Sequence, residues 1–475
     1  MSIVTKVVKN SFVYLVGEII VRIITFFVTL ILVRYLGSGN FGRYSLVYAF
    51  LSFFQIFLNM GVDQIIVREL SRSFQRGAEL LGNAITLIFF SSLIGLLLCW
   101  TILPWIHYPQ DLKFLIYLAS LSMIFSFGAL FNNIFQAQLL MKYIAAVTIV
   151  MKVLLAIFTL MLIFLKAKLA YFIILNLLIS TAQAGFMFYQ SRKFLQIRLM
   201  MDLRIWKELL KNSWPLAVSI LFISIYTRIN QVMLFSMKGK EELGFYVAAL
   251  KFAEMPFIIV GAFMVSAFPL FSKYSQSAAE KLGKTYEKTL KYLMIFILPV
   301  AMMTMLYSKQ IILACYGQAF LPAQAALAVL IWSTVFVYIA TVYGHLLIAT
   351  NLQTFVIIFT GSLAISNVLL NLILIPRFGS LGAAVATTVS YALGIPVSYL
   401  FKETKQFAKA AVKSMIKPFL AVLLAGYSVY FLSSLHLIFN LTLTGFIYLS
   451  LILFMREINS EDIKYGKEIF ARFIT

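Results

Sequence analysis

A chain of 475 residues that is 62% hydrophobic and 12% charged, with a mean hydropathy of +0.96, has more apolar surface than a soluble core could hide, since an ordinary soluble domain is about a quarter charged. The 39 Lys+Arg against 17 Asp+Glu give a formal net charge of +22, which in a soluble protein would point to nucleic acid. Here most bases lie in short segments between apolar runs, where they read as topology signals facing anionic membrane lipids, and no nucleic acid partner is expected.

Apolar windows bounded by polar breaks predict fourteen helices, at 10–35, 44–62, 81–104, 113–139, 143–165, 169–191, 213–237, 244–271, 288–308, 325–349, 354–375, 381–401, 417–434 and 437–455. The expected class is an all-α integral membrane protein. The first run follows Lys6 and Lys9, continues to Tyr35 and lacks a small-residue cleavage site, so it reads as a retained span. An even number of spans puts both termini on one side. Segments and span ends assigned to that side carry roughly three times as many Lys and Arg as those opposite, which predicts cytoplasmic termini. The strongest basic clusters fall at 192–211, 273–284 and 402–417. In the first, Arg192, Lys193, Arg198, Arg204, Lys207 and Lys211 alternate with Leu195, Ile197, Leu199, Leu203, Ile205 and Trp206, the pattern of an interfacial amphipathic helix.

That cluster also separates two copies of a weak internal repeat. Asn10-Ser11-Phe12 and Asn212-Ser213-Trp214 open the first and seventh spans, and Phe41-Gly42-Arg43-Tyr44 and Leu243-Gly244-Phe245-Tyr246 follow them at the same offset of 202. The expected organisation is a six-helix lobe over 1–191, a basic linker over 192–212, a second six-helix lobe over 213–401, a linker over 402–416, helices thirteen and fourteen over 417–455 and a cytoplasmic tail over 456–475.

No catalytic constellation stands out, and no enzyme activity is expected. Gly283-Lys284-Thr285 resembles the end of a phosphate-binding loop, but the glycine that loop needs is Ala278. His107, His345 and His436 are scattered, and Cys99 and Cys315 have no metal-ligand spacing, so neither a metal nor another cofactor is expected. The informative residues are the ionisable ones inside spans, each costing roughly 2.5–3.5 kcal/mol at a helix centre. Glu18 and Arg22 are four apart in the first span, Lys251 and Glu254 three apart in the eighth, and either pair can share a helix face. Arg228 is central in the seventh span with Gln231 beside it, Lys152 sits roughly 14 Å into the fifth, and Arg34 closes the first. Five bases face two acids within the spans, so the interior is cationic and suits an anion such as a pyrophosphate. Arg22, Arg228, Lys152, Lys251 and Arg34 are the expected substrate-binding residues, and Glu18 and Glu254 the counterion or ion-coupling residues. Asp63, near a span end, is expected to pair with Arg68 or cap a helix. Pro256, Pro299 and Pro396 mark expected kinks.

The stretch Leu36-Gly37-Ser38-Gly39-Asn40-Phe41-Gly42-Arg43-Tyr44-Ser45-Leu46, then Arg68-Glu69-Leu70-Ser71-Arg72, Phe268-Pro269-Leu270-Phe271-Ser272, Asn371 through Pro376, and Phe378-Gly379-Ser380-Leu381-Gly382-Ala383-Ala384-Val385-Ala386-Thr387 with Ser390-Tyr391 occur in an order and spacing found in one group. The chain resembles the polysaccharide flippases of the multidrug/oligosaccharidyl-lipid/polysaccharide (MOP) exporter superfamily, of the Wzx O-antigen type. The resemblance implies two six-helix lobes in a V around a cationic cavity, two further helices, and alternating access in a bacterial inner membrane. It implies as cargo an undecaprenyl-diphosphate-linked oligosaccharide repeat unit, moved from the cytoplasmic to the outer leaflet. A proton or Na⁺ gradient is the candidate driving force, and a polysaccharide polymerase and chain-length machinery are further candidate partners. The competing readings are a lipid II flippase, a cation-coupled multidrug exporter, and a membrane polysaccharide polymerase or ligase. The exporter fits a basic cavity poorly, and the polymerase or ligase would usually need a large outer loop that this chain lacks.

Overall fold

The computed structural model describes residues 3–458 except 196, 278, 351 and 432–436; His436 and most of the expected tail, 459–475, lie outside the described residues. Every long regular element among the described residues is a helix, because a backbone in hydrocarbon must satisfy its own N–H and C=O groups, which a helix does within one segment. In chain order these are α1 (Ile3–Ser52), α2 (Gln55–Asn59), α3 (Val62–Arg72), α4 (Phe74–Ile102), α5 (Gln110–Ser120), a 3₁₀ segment (Leu121–Leu130), α6 (Phe131–Ala137), α7 (Met141–Phe164), α8 (Leu169–Ser191), α9 (Leu203–Lys238), α10 (Lys240–Glu254), α11 (Phe257–Ser277), α12 (Ala279–Leu306), α13 (Ser308–Tyr316), α14 (Ala323–Ala349), α15 (Gln353–Tyr399), α16 (Lys402–Phe431) and α17 (Leu437–Phe454).

The protein is a multi-pass all-α membrane protein. Ten helical runs among the described residues are long and apolar enough to cross a bilayer. The expected spans fall on helical runs with short breaks such as 53–54, 60–61 and 255–256, and 432–434 lie outside the described residues; the two numbers differ because two runs carry two spans each and because α16 and α17, which hold spans thirteen and fourteen, are not among the ten. In α1 the backbone leaves helical geometry only at Gly37, and in α15 only at Gly379. Large apolar side chains such as Phe27, Leu97, Leu178, Leu372 and Leu424 are exposed, as a lipid-facing surface requires.

The chain forms two compact units. The first comprises Met1–Lys251, Leu313–Ala323 and Ala364–Ala383, and the second Phe252–Ile312, Gln324–Leu363 and Ala384–Thr475. The first unit thus continues through the expected linker 192–212 to Lys251. Its core packs Val62, Ile66, Leu81, Ile88, Ile134 and Phe135 between α3, α4 and α6. The core of the second unit holds Phe271, Tyr286, Leu290, Ile297, Tyr338 and Leu346 from α11, α12 and α14. In that unit the chain breaks at Pro256, between α10 and α11, where Tyr338 Oη donates to the Pro256 carbonyl at 2.5 Å. Pro299 and Pro396, in contrast, lie within α12 and α15 without interrupting them.

One expected element is overturned. The basic segment 192–211 is not one amphipathic helix: among its described residues 193–202 are not helical, and helix resumes only at Leu203. The cause is tertiary. Thr86 Oγ1 donates to the Met200 carbonyl at 2.5 Å, and the Asp202 amide donates to Asn83 Oδ1 at 2.8 Å, so α4 supplies backbone partners that a helix would have supplied itself. Asp202 then caps α9, accepting from the Arg204 amide at 2.8 Å.

Candidate functional site

Within the first unit, α1 presents one continuous stripe on both sides of its break. Before Gly37 the stripe is Ile24, Thr25, Val28, Thr29 and Leu32; after it, Phe41, Tyr44, Ser45, Tyr48, Ala49 and Ser52. Steps of three and four residues keep each set on one helix face. The same spacing brings Lys152, Leu155 and Thr159 from α7, Phe172 and Asn176 from α8, Arg228 and Gln231 from α9, and Val247 and Lys251 from α10 to the opposite walls. Together they enclose a cavity of about 470 Å³, within the usual range of about 300–1,000 Å³ for small-molecule sites.

Its charge is one-sided. Lys152, Arg228 and Lys251 line it, and no Asp or Glu does among the described residues. A wall with three bases suits an anion. Arg228 can grip two oxygens of a phosphate at once, and the lysines act as point charges. The Gln231 side chain is 2% exposed, and its amide Nε2 has no hydrogen-bond acceptor among the described residues. A buried donor costs about 1–3 kcal/mol if left without a partner. Asn176 is fixed by donating to Tyr44 Oη at 3.1 Å and to the Phe172 carbonyl at 2.8 Å, and the Tyr44 and Tyr48 rings meet edge to face with centroids 5.0 Å apart.

The other expected binding residues lie off the wall. Arg22 pairs with Glu18 one turn away, Nε to Oε2 3.9 Å, and Glu18 is also within electrostatic reach of Lys152. Arg34 is spent on backbone: its Nε donates to the Cys315 carbonyl at 2.5 Å and its Nη2 to the Ala314 carbonyl, in the last turn of α13. A cation there complements the negative end of the helix. Glu254 ends α10. Asp63 neither pairs with Arg68 nor caps through its side chain. Asn59 and Asn133 donate to it at 2.5 and 3.0 Å, while Arg68 turns to Glu69 at 3.0 Å. Burial lifts the Asp63 carboxyl above its ordinary pKa against the lowering effect of those two amides.

The sequence reading passed over the uncharged polar wall of Thr25, Thr29, Tyr44, Ser45, Tyr48 and Ser52. Its signal was present as hydroxyls recurring at helical spacing inside otherwise apolar spans. A buried amide chain was also missed: Asn371 Nδ2 donates to Asn230 Oδ1 and, at 2.9 Å, to Asn367 Oδ1, and Asn230 donates to Tyr246 Oη at 3.0 Å.

The fold is that of a multi-pass all-α membrane protein with long broken helices. It is similar to the lipid II flippase MurJ in an inward closed conformation, with a TM-score of 0.77 at 18% identity, covering 94% of this chain and 99% of that one. It is also similar to an inward-facing multidrug resistance MATE-family transporter of the MOP superfamily, with a TM-score of 0.62 at 16% identity, covering 81% of this chain and 95% of that one. In sequence, an uncharacterized membrane protein of Haemophilus influenzae is 25% identical over 348 residues, which are 69% of this chain and 80% of that protein. The polysaccharide biosynthesis protein family matches residues 7–275, more than half of the chain, and the chain belongs to that family.

Proposed function

We propose that the protein is a flippase that moves an undecaprenyl-diphosphate-linked oligosaccharide, of the O-antigen repeat-unit kind, from the cytoplasmic to the outer leaflet of a bacterial inner membrane. The observation that carries this reading is the wall with three bases and no acid, Lys152, Arg228 and Lys251, inside a chain of the polysaccharide biosynthesis family. The diphosphate is the charged part of such a cargo, and its transfer through hydrocarbon is the costly step. A desolvated cationic chamber lowers that cost, while the polyprenyl tail stays in lipid. Alternating access to the cavity would carry the cargo across, with both termini in the cytoplasm. Glu18, held between Arg22 and Lys152, acts in this reading as the counterion that keeps the site from binding too tightly in one state.

The test is complementation of the source organism's own deletion strain, reading surface polymer and accumulated lipid-linked repeat units. Arg228→Gln and Lys152→Gln are expected to abolish surface polymer at normal membrane abundance. Arg22→Gln, off the cavity wall, is expected to reduce it only partly. Full activity of Arg228→Gln and Lys152→Gln would refute the assignment, and rescue of a lipid II flippase depletion instead would replace the cargo.

A further inference from the structure

Beside the cationic chamber lies a second cavity of about 360 Å³, also wholly within the first unit. The two share Tyr48, Ser122 and Asn176 as lining residues, so they adjoin. No Asp, Glu, Lys, Arg or His lines the second one. Its polar lining is hydroxyls and amides, including Ser126, Asn132 and Gln183, and Phe125 offers a partly exposed ring. The Asn132 Oδ1 is buried without a hydrogen-bond donor among the described residues.

The backbone that builds this wall is unusual. Leu121–Leu130 is a 3₁₀ helix of ten residues, where runs longer than three or four are uncommon. At three residues per turn, side chains three apart stack in straight rows rather than spiralling. Ser122, Phe125 and Gly128 form one such row along the cavity, and Ser126 and Ala129 a second. Ordinary α-winding would instead turn each row by about 60° at every three-residue step.

We propose that this neutral chamber is a saccharide subsite, taking the sugar next to the diphosphate while the basic chamber holds the diphosphate itself. The proposal rests on the flippase reading above. A pyranose presents hydroxyl donors and acceptors on its rim and C–H faces above and below, which amides, hydroxyls and one aromatic ring match without any charge. Because the first sugar is bonded directly to the phosphate, its subsite must touch the anion site, and the shared Tyr48, Ser122 and Asn176 meet that condition. Asn132 Oδ1 supplies an acceptor for a sugar hydroxyl.

Binding of two probes to the purified full-length protein tests this: undecaprenyl diphosphate alone, and the lipid-linked repeat unit extracted from the deletion strain. Asn132→Ala, and separately Gln183→Ala, should weaken binding of the saccharide-bearing probe about tenfold, as expected for one lost hydrogen bond whose partner stays desolvated. Binding of undecaprenyl diphosphate should be unchanged in both, which also certifies that the variants are folded. Arg228→Gln should weaken both probes. If the variants bind the saccharide-bearing probe as wild type does, or lose both probes equally while remaining monodisperse, the subsite is refuted and the flippase reading stands. If the wild type binds neither probe, both fall.

Discussion

The two copies of the repeat, 37–49 and 239–251, share a backbone and differ in what they carry. Gly37 and Gly239 take nearly the same conformation, φ 68°, ψ 173° and φ 89°, ψ −173°, a region that only glycine enters without strain. Their helices then meet reciprocally: a methyl at Gly42 would stand 1.9 Å from the Lys240 carbonyl oxygen, and one at Gly244 would stand 2.0 Å from that of Ser38. Ser38 and Lys240 are themselves equivalent at the offset of 202. Equivalent positions also reach the same cavity, with Thr29 matching Gln231, Ser45 matching Val247 and Ala49 matching Lys251. The first copy gives the cavity hydroxyls and small residues, the second one of its three bases, Lys251. The repeat keeps the crossing that makes a cavity and lets the side chains around it diverge, so structure and specificity are separable in this unit.

The largest effect should come from breaking the crossing. Gly42→Ala and Gly244→Ala each drive a methyl into backbone that has no room to yield, and should cost about 3 kcal/mol or more, read as loss of monodisperse protein in detergent. Equal losses for the two would bear out the reciprocal contact; a tolerated Gly244→Ala would break it. Gly37→Ala meets nothing and Gly239→Ala only Glu241 Oε2 at 3.9 Å, but both carry a positive φ, so about 1–3 kcal/mol of strain is expected, visible as a lowered melting temperature at normal yield. Gly261→Ala, within helix α11 and facing open space, is the control and should be neutral or slightly stabilising.

Divergence itself can be probed by moving charge between copies. Lys251→Ala should lower transport on the order of tenfold if a desolvated charge contact is lost. Adding Ala49→Lys restores a base to the equivalent wall position and should recover part of that loss, in the same complementation assay. No recovery by a well-folded double variant would mean that position, and not only the charge of the cavity, matters.

Hydropathy revealed the spans because lipid demands long apolar helices whatever surrounds them, and the repeat was legible because its glycines are constrained by backbone. The choice among the bases was less so. Depth along a span can be counted from sequence, but the side a residue faces depends on packing, which puts Lys152, Arg228 and Lys251 on the cavity and Arg22 and Arg34 elsewhere. The segment 192–202 misled because its alternation of bases and apolar residues satisfies a helical period, while the hydrogen bonds that unwind it come from Asn83 and Thr86, more than a hundred residues away. The second chamber was invisible for a related reason. Its polar lining comes from separate elements, Ser122 and Ser126 from the 3₁₀ segment, Asn132 from α6, and Asn176 and Gln183 from α8, and only packing brings them together.

The smallest effect expected separates the copies at their outer flank. Arg43 Nη1 donates to Asp111 Oδ2 at 2.6 Å, whereas the equivalent Phe245 packs edge to face on Phe320 with centroids 6.1 Å apart. The Asp111 side chain is 54% exposed, so water and salt screen the pair, and Asp111→Asn should cost about 1 kcal/mol or less. That cost should shrink further as ionic strength rises. Phe245→Ala removes apolar contact, which salt does not screen, so its larger loss should persist in the same titration. Melting temperatures of both variants at low and high salt decide the matter. If the Asp111→Asn loss were large and independent of salt, the ion pair would be a structural element of the crossing, and the two copies would differ in how they hold together as well as in what they bind.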